Sequence, residues 1–72
     1  MRSEFSRRLR KLREKRGISR KALAELCGMS KNSVERYERG ERIPSLTDAE
    51  EIAEFFGVSL DWLCGRNDKK IF

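Results

Sequence analysis

Apolar residues recur along the chain with helical spacing and never alternate as they would in a strand. Phe5, Leu9 and Leu12 fall at i, i+4 and i+7, which predicts an amphipathic helix over 5–16 that stops before Gly17. Ser19 is a favourable cap for a second helix, 20–27, with Leu23 and Cys27 inward and Gly28 as its stop. Ser30 caps a third, 31–38, whose Val34, Tyr37 and Glu38 share one side before Gly40. The only proline, Pro44, discourages helix at Ile43 and places a loop over 41–45. Thr47 and Glu50 form a capping-box pattern, with Leu46 as a staple residue ahead of it. This predicts a fourth helix, 48–56, that buries Ala49, Ile52, Ala53 and Phe56 and ends at Gly57. Ser59 caps a last short helix, 60–64, carrying Leu60, Trp62 and Leu63.

Five short helices without a strand pattern describe one all-α domain over 1–66, followed by a short tail, 67–72, that ends in Ile71 and Phe72. At 72 residues the domain buries only about 60% of its unfolded surface, so helix packing must carry it. Two cysteines and no histidine complete neither a disulfide framework nor a four-ligand zinc site, so no metal or other cofactor is expected. Cys27 is read as a small core residue and Cys64 as structural near an exposed helix end. Without an apolar run of about 18 residues or an apolar signal core, no membrane association is expected and the chain is placed in the cytoplasm.

Charge is segregated. Residues 1–16 carry +6, residues 17–45 carry +2, residues 46–65 hold five acids and no Lys or Arg, and the last seven residues return +2, for a net +5. One end of such a molecule attracts a polyanion and the other repels it, which favours a nucleic-acid reader. The basic run RRLRKLREKR is read first as a solvated helix face and second as a source of attraction for a DNA backbone. Glu35 and Glu38 do not form an acid–base pair: the chain has no histidine and no phosphate-cradling glycine loop, and a domain this small rarely encloses a substrate. An enzyme is not expected.

Only Gly28, Met29 and Ser30 join the second and third helices, and Ala24 is small enough to let the third approach closely. A joint this short, with a glycine able to turn left-handed, crosses the two helices steeply, as a helix-turn-helix requires. The segment SRKALAELCGMSKNSVERYERGERIPSL, with FFGVSLDWLCG after it, resembles the phage-repressor-like (Cro/repressor, Xre-type) regulators over residues 5–65. The resemblance implies a five-helix lambda-repressor-like fold and a sequence-specific regulator of transcription, expected to be a repressor, that inserts its third helix in the major groove of a palindromic operator on double-stranded DNA. Lys31, Asn32 and Arg36, with Ser33 close by, would then face base edges. The chemistry agrees, because Arg or Lys suits the guanine acceptors and Asn suits adenine.

Phosphate contacts are expected from Arg10, Ser19, Arg20, Arg39 and Arg42. Arg20 stands where the family usually has glutamine, which adds a charge for anchoring. Arg13 and Glu38 match positions that form a structural ion pair between helices one and three. Trp62 matches a tryptophan that packs under helix four. The family dimerises around its last two helices, here Val58, Ser59, Leu60 and Trp62. With no separate dimerisation domain in these 72 residues, a weak homodimer that binds DNA cooperatively is expected. The alternative reading is an antitoxin or other interaction module, motivated by Leu26 and Phe55 near the surface and by the Ile71–Phe72 tail.

Overall fold

The computed structural model describes residues 2–66 and residue 68. These build α1 (Arg2–Arg16), α2 (Arg20–Cys27), α3 (Lys31–Arg39), α4 (Leu46–Phe56) and α5 (Leu60–Leu63), with no strand among the described residues. The all-α architecture is the one the spacing predicts. The tail that closes on Ile71 and Phe72 lies outside the described residues apart from Asp68.

Serine hydroxyls open four of the five helices. The Oγ atoms of Ser19, Ser30, Ser45 and Ser59 accept hydrogen bonds from the backbone N–H of Ala22, Ser33, Asp48 and Trp62. Each satisfies a first-turn donor that the helix itself leaves unpaired. The fourth helix therefore starts earlier than expected: its cap is Ser45, not Thr47. Two overlapping signals compete here, and the one next to Pro44 wins, with Asp48 in the first turn as a favourable charge. Leu46 consequently becomes the first helical residue and is 67% exposed instead of acting as a staple. The first helix also begins earlier, at Arg2, and α3 runs one residue longer, to Arg39.

The core is contributed by every helix: Phe5 and Leu9 from α1, Leu23 and Cys27 from α2, Val34 and Tyr37 from α3, Ile52 and Ala53 from α4, Leu63 from α5. Burying each of the larger of these, such as Phe5, Leu9, Leu23, Val34, Ile52 and Leu63, contributes about 1.5–3 kcal/mol. Phe5 meets the Tyr37 ring edge-on at 5.5 Å. Phe56, expected in the core, is only half-buried, and Phe55, expected near the surface, is half-buried as well. The two rings contact edge to face at 5.0 Å and lie under the Arg16 guanidinium, 5.1 and 5.2 Å away. A cation lying over the rings, which a helical wheel of α4 does not show, covers Phe55. Trp62 is likewise half-buried: the Arg8 guanidinium of α1 sits 4.6 Å over its ring and also donates to its carbonyl.

Gly65 marks how tightly α1 closes on the end of α5. Its φ is +82°, and a Cβ there would come within 2.7 Å of the Glu4 Cβ, so glycine is needed for both conformation and space.

Candidate nucleic-acid interface

The joint between α2 and α3 is built from its backbone outward. Gly28 takes φ +72°, and the Met29 N–H returns to the Ala24 carbonyl at 2.9 Å, which closes α2 and turns the chain within three residues. Ser30 then starts α3. Its hydroxyl accepts from the Ser33 N–H at 3.1 Å and donates to the Ser33 Oγ at 3.0 Å.

One side of α3, with Val34, Tyr37 and Glu38, is buried. That packing turns Lys31, Asn32, Arg36 and Arg39 outward, and all four are exposed. Ser33 is half-buried beside them. Neither α2 nor α3 carries an acid in its first turn, whereas α1, α4 and α5 have Glu4, Asp48 and Asp61 there. The positive ends of the helix-turn-helix pair are thus the ones without an internal counter-charge.

Two cations at this face have partners. Lys31 Nζ lies 3.5 Å from Glu35 Oε2, one turn away. Arg42, from the loop after α3, donates to Ser33 Oγ at 3.3 Å and stands 5.8 Å over the Tyr37 ring, which holds it against the base of the exposed face. Glu35 was missed as a member of this face, although its i+4 distance from Lys31 is a signal in the sequence.

Behind this face sits the buried carboxylate of Glu38. Arg13 meets it with two bonds, Nε to Oε2 at 2.6 Å and Nη2 to Oε1 at 3.0 Å, and gives its remaining Nη1 to the Ile18 carbonyl at 3.0 Å. This pair joins α1 to α3, and the bonds to Glu38 raise the Arg13 guanidinium further above its already high range. Arg20 Nε also reaches Glu38 Oε1 at 3.0 Å, and Arg10 Nε stands 3.7 Å from the same oxygen. The sequence paired Glu38 with Arg13 alone, whereas the fold brings three arginines to it. Ser19 Oγ accepts from the Ala22 N–H at 3.0 Å as the cap of α2.

The residues expected at a dimer contact divide. Val58 is in the core and Ser59 is buried with its hydroxyl on the α5 cap, so neither has side-chain surface to offer a second copy. Leu60 and Trp62 keep part of theirs. Leu60 lines an apolar cleft of about 270 Å³ together with Ile43, Pro44, Leu46, Ala49 and Cys64, with Asp61 and Arg66 also in its wall. Leu26 is exposed on α2. Cys27 is buried, and its burial raises the thiol above its ordinary value. The described residues hold no cluster of His, Cys, Asp and Glu that could bind a metal, and no helix long and apolar enough to cross a membrane.

Residues 9–63 match the helix-turn-helix family. Among individual proteins, the chain is 33% identical over 67 residues to the cryptic phage CTXphi transcriptional repressor RstR of Vibrio cholerae, which covers 93% of this chain and 60% of that repressor. It is 51% identical over 53 residues to an HTH-type transcriptional regulatory protein of Pyrococcus furiosus, covering 74% of this chain but only 17% of the archaeal protein. The chain therefore spans less than two thirds of the length of these relatives. Two solved structures share the fold over nearly their whole length. The restriction-modification controller protein C.AhdI from Aeromonas hydrophila superposes with a TM-score of 0.77 at 34% identity, over 85% of this chain and 92% of that one. The P22 c2 repressor protein, solved in complex with a synthetic operator, superposes with a TM-score of 0.82 at 25% identity, over 88% of this chain and 96% of that one.

Proposed function

Because the chain belongs to the helix-turn-helix family, a family of DNA-binding transcriptional regulators and not of enzymes, we propose that it binds double-stranded DNA sequence-specifically and represses transcription from a palindromic operator. The observation that carries this reading is the division of α3: Val34, Tyr37 and Glu38 are fixed in the core while Lys31, Asn32 and Arg36 stand out together. An α-helix with its side chains is about 10–12 Å across, which fits a major groove about 12 Å wide. Arg36 offers a two-pronged donor to guanine O6 and N7, Asn32 offers a donor and an acceptor to adenine, and Lys31 exchanges Glu35 for a base or phosphate at the helix start.

The phosphates beside the groove are met by Arg39, Arg42, Arg10, Arg20 and the Ser19 hydroxyl at the start of α2. These contacts set register and affinity without reading sequence. The repressor of Vibrio cholerae and the operator-bound P22 c2 repressor support repression as the outcome. The archaeal and phage relatives support a cytoplasmic site of action.

One α3 touches too few base pairs for genomic specificity, so two copies act on two half-sites. Leu60 and Trp62, with the exposed Ile43 and Leu46 around the adjoining cleft, form the contact between them. A two-fold contact places each residue against its counterpart's neighbours, and the opposite charges of Asp61 and Arg66 on one wall suit such self-pairing. With so few exposed apolar residues the homodimer is weak in solution and cooperative on DNA.

The deciding experiment is selection from a random duplex pool at about 150 mM salt, where contacts made only through phosphates are suppressed. Enrichment of an inverted repeat with half-sites about one helical turn apart is the expected result. Binding at low salt without any enriched sequence would overturn the proposal.

A further inference from the structure

Glu38 is surrounded by more positive charge than its own burial needs. Its side chain has no exposed surface, and one bidentate arginine, Arg13, with 11% exposure, already neutralises it and satisfies both oxygens. Arg20 and Arg10 nevertheless converge on the same Oε1, at 3.0 and 3.7 Å. Both are half-open to solvent, with side-chain exposures of 41% and 47%. The cluster therefore joins three guanidiniums to one carboxylate and leaves an excess of two positive charges at the junction of α1, α2 and α3.

The two outer arginines are engaged through only part of their donor sets. Arg20 gives Nε to Glu38, and neither of its Nη groups is taken up by another contact among the described residues. Arg10 reaches the Glu38 backbone carbonyl with Nη2 at 3.4 Å. An arginine held by Nε presents its Nη edge in a fixed direction, and a lysine in the same place would not. Arg20 is also the first residue of α2, a helix with no acid in its first turn.

We infer that Glu38 is a positioning residue that holds Arg20 and Arg10 as a two-armed clamp for a single DNA phosphodiester. The inference rests on the DNA-binding reading and adds to it a division of labour: Arg13 is structural, whereas Arg20 and Arg10 are oriented by the same carboxylate toward an outside anion. The clamp supplies affinity without base preference, and it couples phosphate seating to α3 because Glu38 belongs to that helix. The second helix thereby reports backbone contact to the helix that reads bases.

The test compares Arg20→Lys with Arg20→Ala on the selected operator and on an unrelated duplex, at several salt concentrations. Arg20 is half-exposed, so both variants are expected to fold, and their circular dichroism and melting curves verify this. Arg20→Lys keeps the charge but loses the fork, so its affinity falls about tenfold on both duplexes while the salt slope stays unchanged. Arg20→Ala falls further, with a slope lower by about 1. Adding Arg10→Lys to Arg20→Lys costs less than Arg10→Lys does alone, because the arms act together. An Arg20→Lys protein that binds like the parent would overturn the clamp and leave Arg20 as an ordinary surface charge.

The arginine Nε–H resonances of the intact chain give an independent readout. Titration with duplex shifts those of Arg20 and Arg10, and inorganic phosphate shifts the same two more weakly, while Arg13 stays still. Equal shifts at all three, or none, overturn the clamp. If the chain binds no duplex even at about 50 mM salt, the DNA-binding reading fails, and the phosphate titration alone still decides whether the anion seat exists.

Discussion

The Tyr37 hydroxyl donates to the Asp48 carboxylate at 2.5 Å, so the core-facing tyrosine of α3 is tied to the first turn of α4. The same ring lies in the core against Phe5 and under Arg42, which places one side chain between the hydrophobic centre, the exposed face of α3 and the loop that follows it.

Burial first, and then the bond to Asp48, push the Tyr37 phenol above its ordinary value near 10. A group whose folded pKa is raised gives stability that is complete below its unfolded pKa and is lost as pH climbs through the folded value. Unfolding free energy, measured by urea titration, is therefore expected to fall above about pH 10. Tyr37→Phe removes this tyrosine's share of that alkaline loss. At neutral pH it costs about 1–2 kcal/mol for the lost bond.

Ser45→Ala should destabilise the chain by about 1 kcal/mol, because it removes the acceptor for the Asp48 N–H. Thr47→Ala, at an exposed position inside the first turn, should change stability by less than about 0.5 kcal/mol. Thermal melts of the two variants distinguish the caps directly, and a larger effect at Thr47 would contradict the observed helix start.

The competition between those two caps illustrates what the sequence could and could not convey. The boundaries of α2, and those of α3 to within one residue, were legible because each has a serine cap ahead of it and a glycine behind. At α4 a serine and a threonine two residues apart both have an acid three residues on, and local chemistry does not rank them. Phe55 was misplaced because its cover, Arg16, comes from another helix. The outward face of α3 was readable from its period, whereas the convergence of Arg10 and Arg20 on Glu38 joins residues 28 and 18 positions apart and exists only in the packed molecule.

Arg36→Ala is expected to cost about 1–3 kcal/mol on the selected operator and little on an unrelated duplex. Fluorescence anisotropy on both duplexes measures the difference. Equal losses on the two would reassign Arg36 to the phosphate backbone. Since Arg36 is exposed and without an ion pair among the described residues, its melting temperature should match that of the parent.

Leu46→Asp tests the two-copy contact. The side chain is largely in solvent, so monomer stability should change by no more than about 0.5 kcal/mol. Cooperative filling of the two half-sites should be lost, while binding to an isolated half-site persists. Gel-shift titrations of whole and half operators separate these effects, and intact cooperativity in the variant would move the contact elsewhere.

The serine that opens each of α2 to α5 has a kinetic meaning. Caps act within a single turn and need no distant partner, and small helical domains of low contact order fold in microseconds to milliseconds. A chain that recloses faster than a protease can cut it is degraded in proportion to the population of its open form. Its level in a cell then tracks its free energy of unfolding, and the loss of the Ser45 or the Ser59 hydroxyl, each capping a helix away from the DNA, would appear as a fall in abundance before any fall in affinity for DNA.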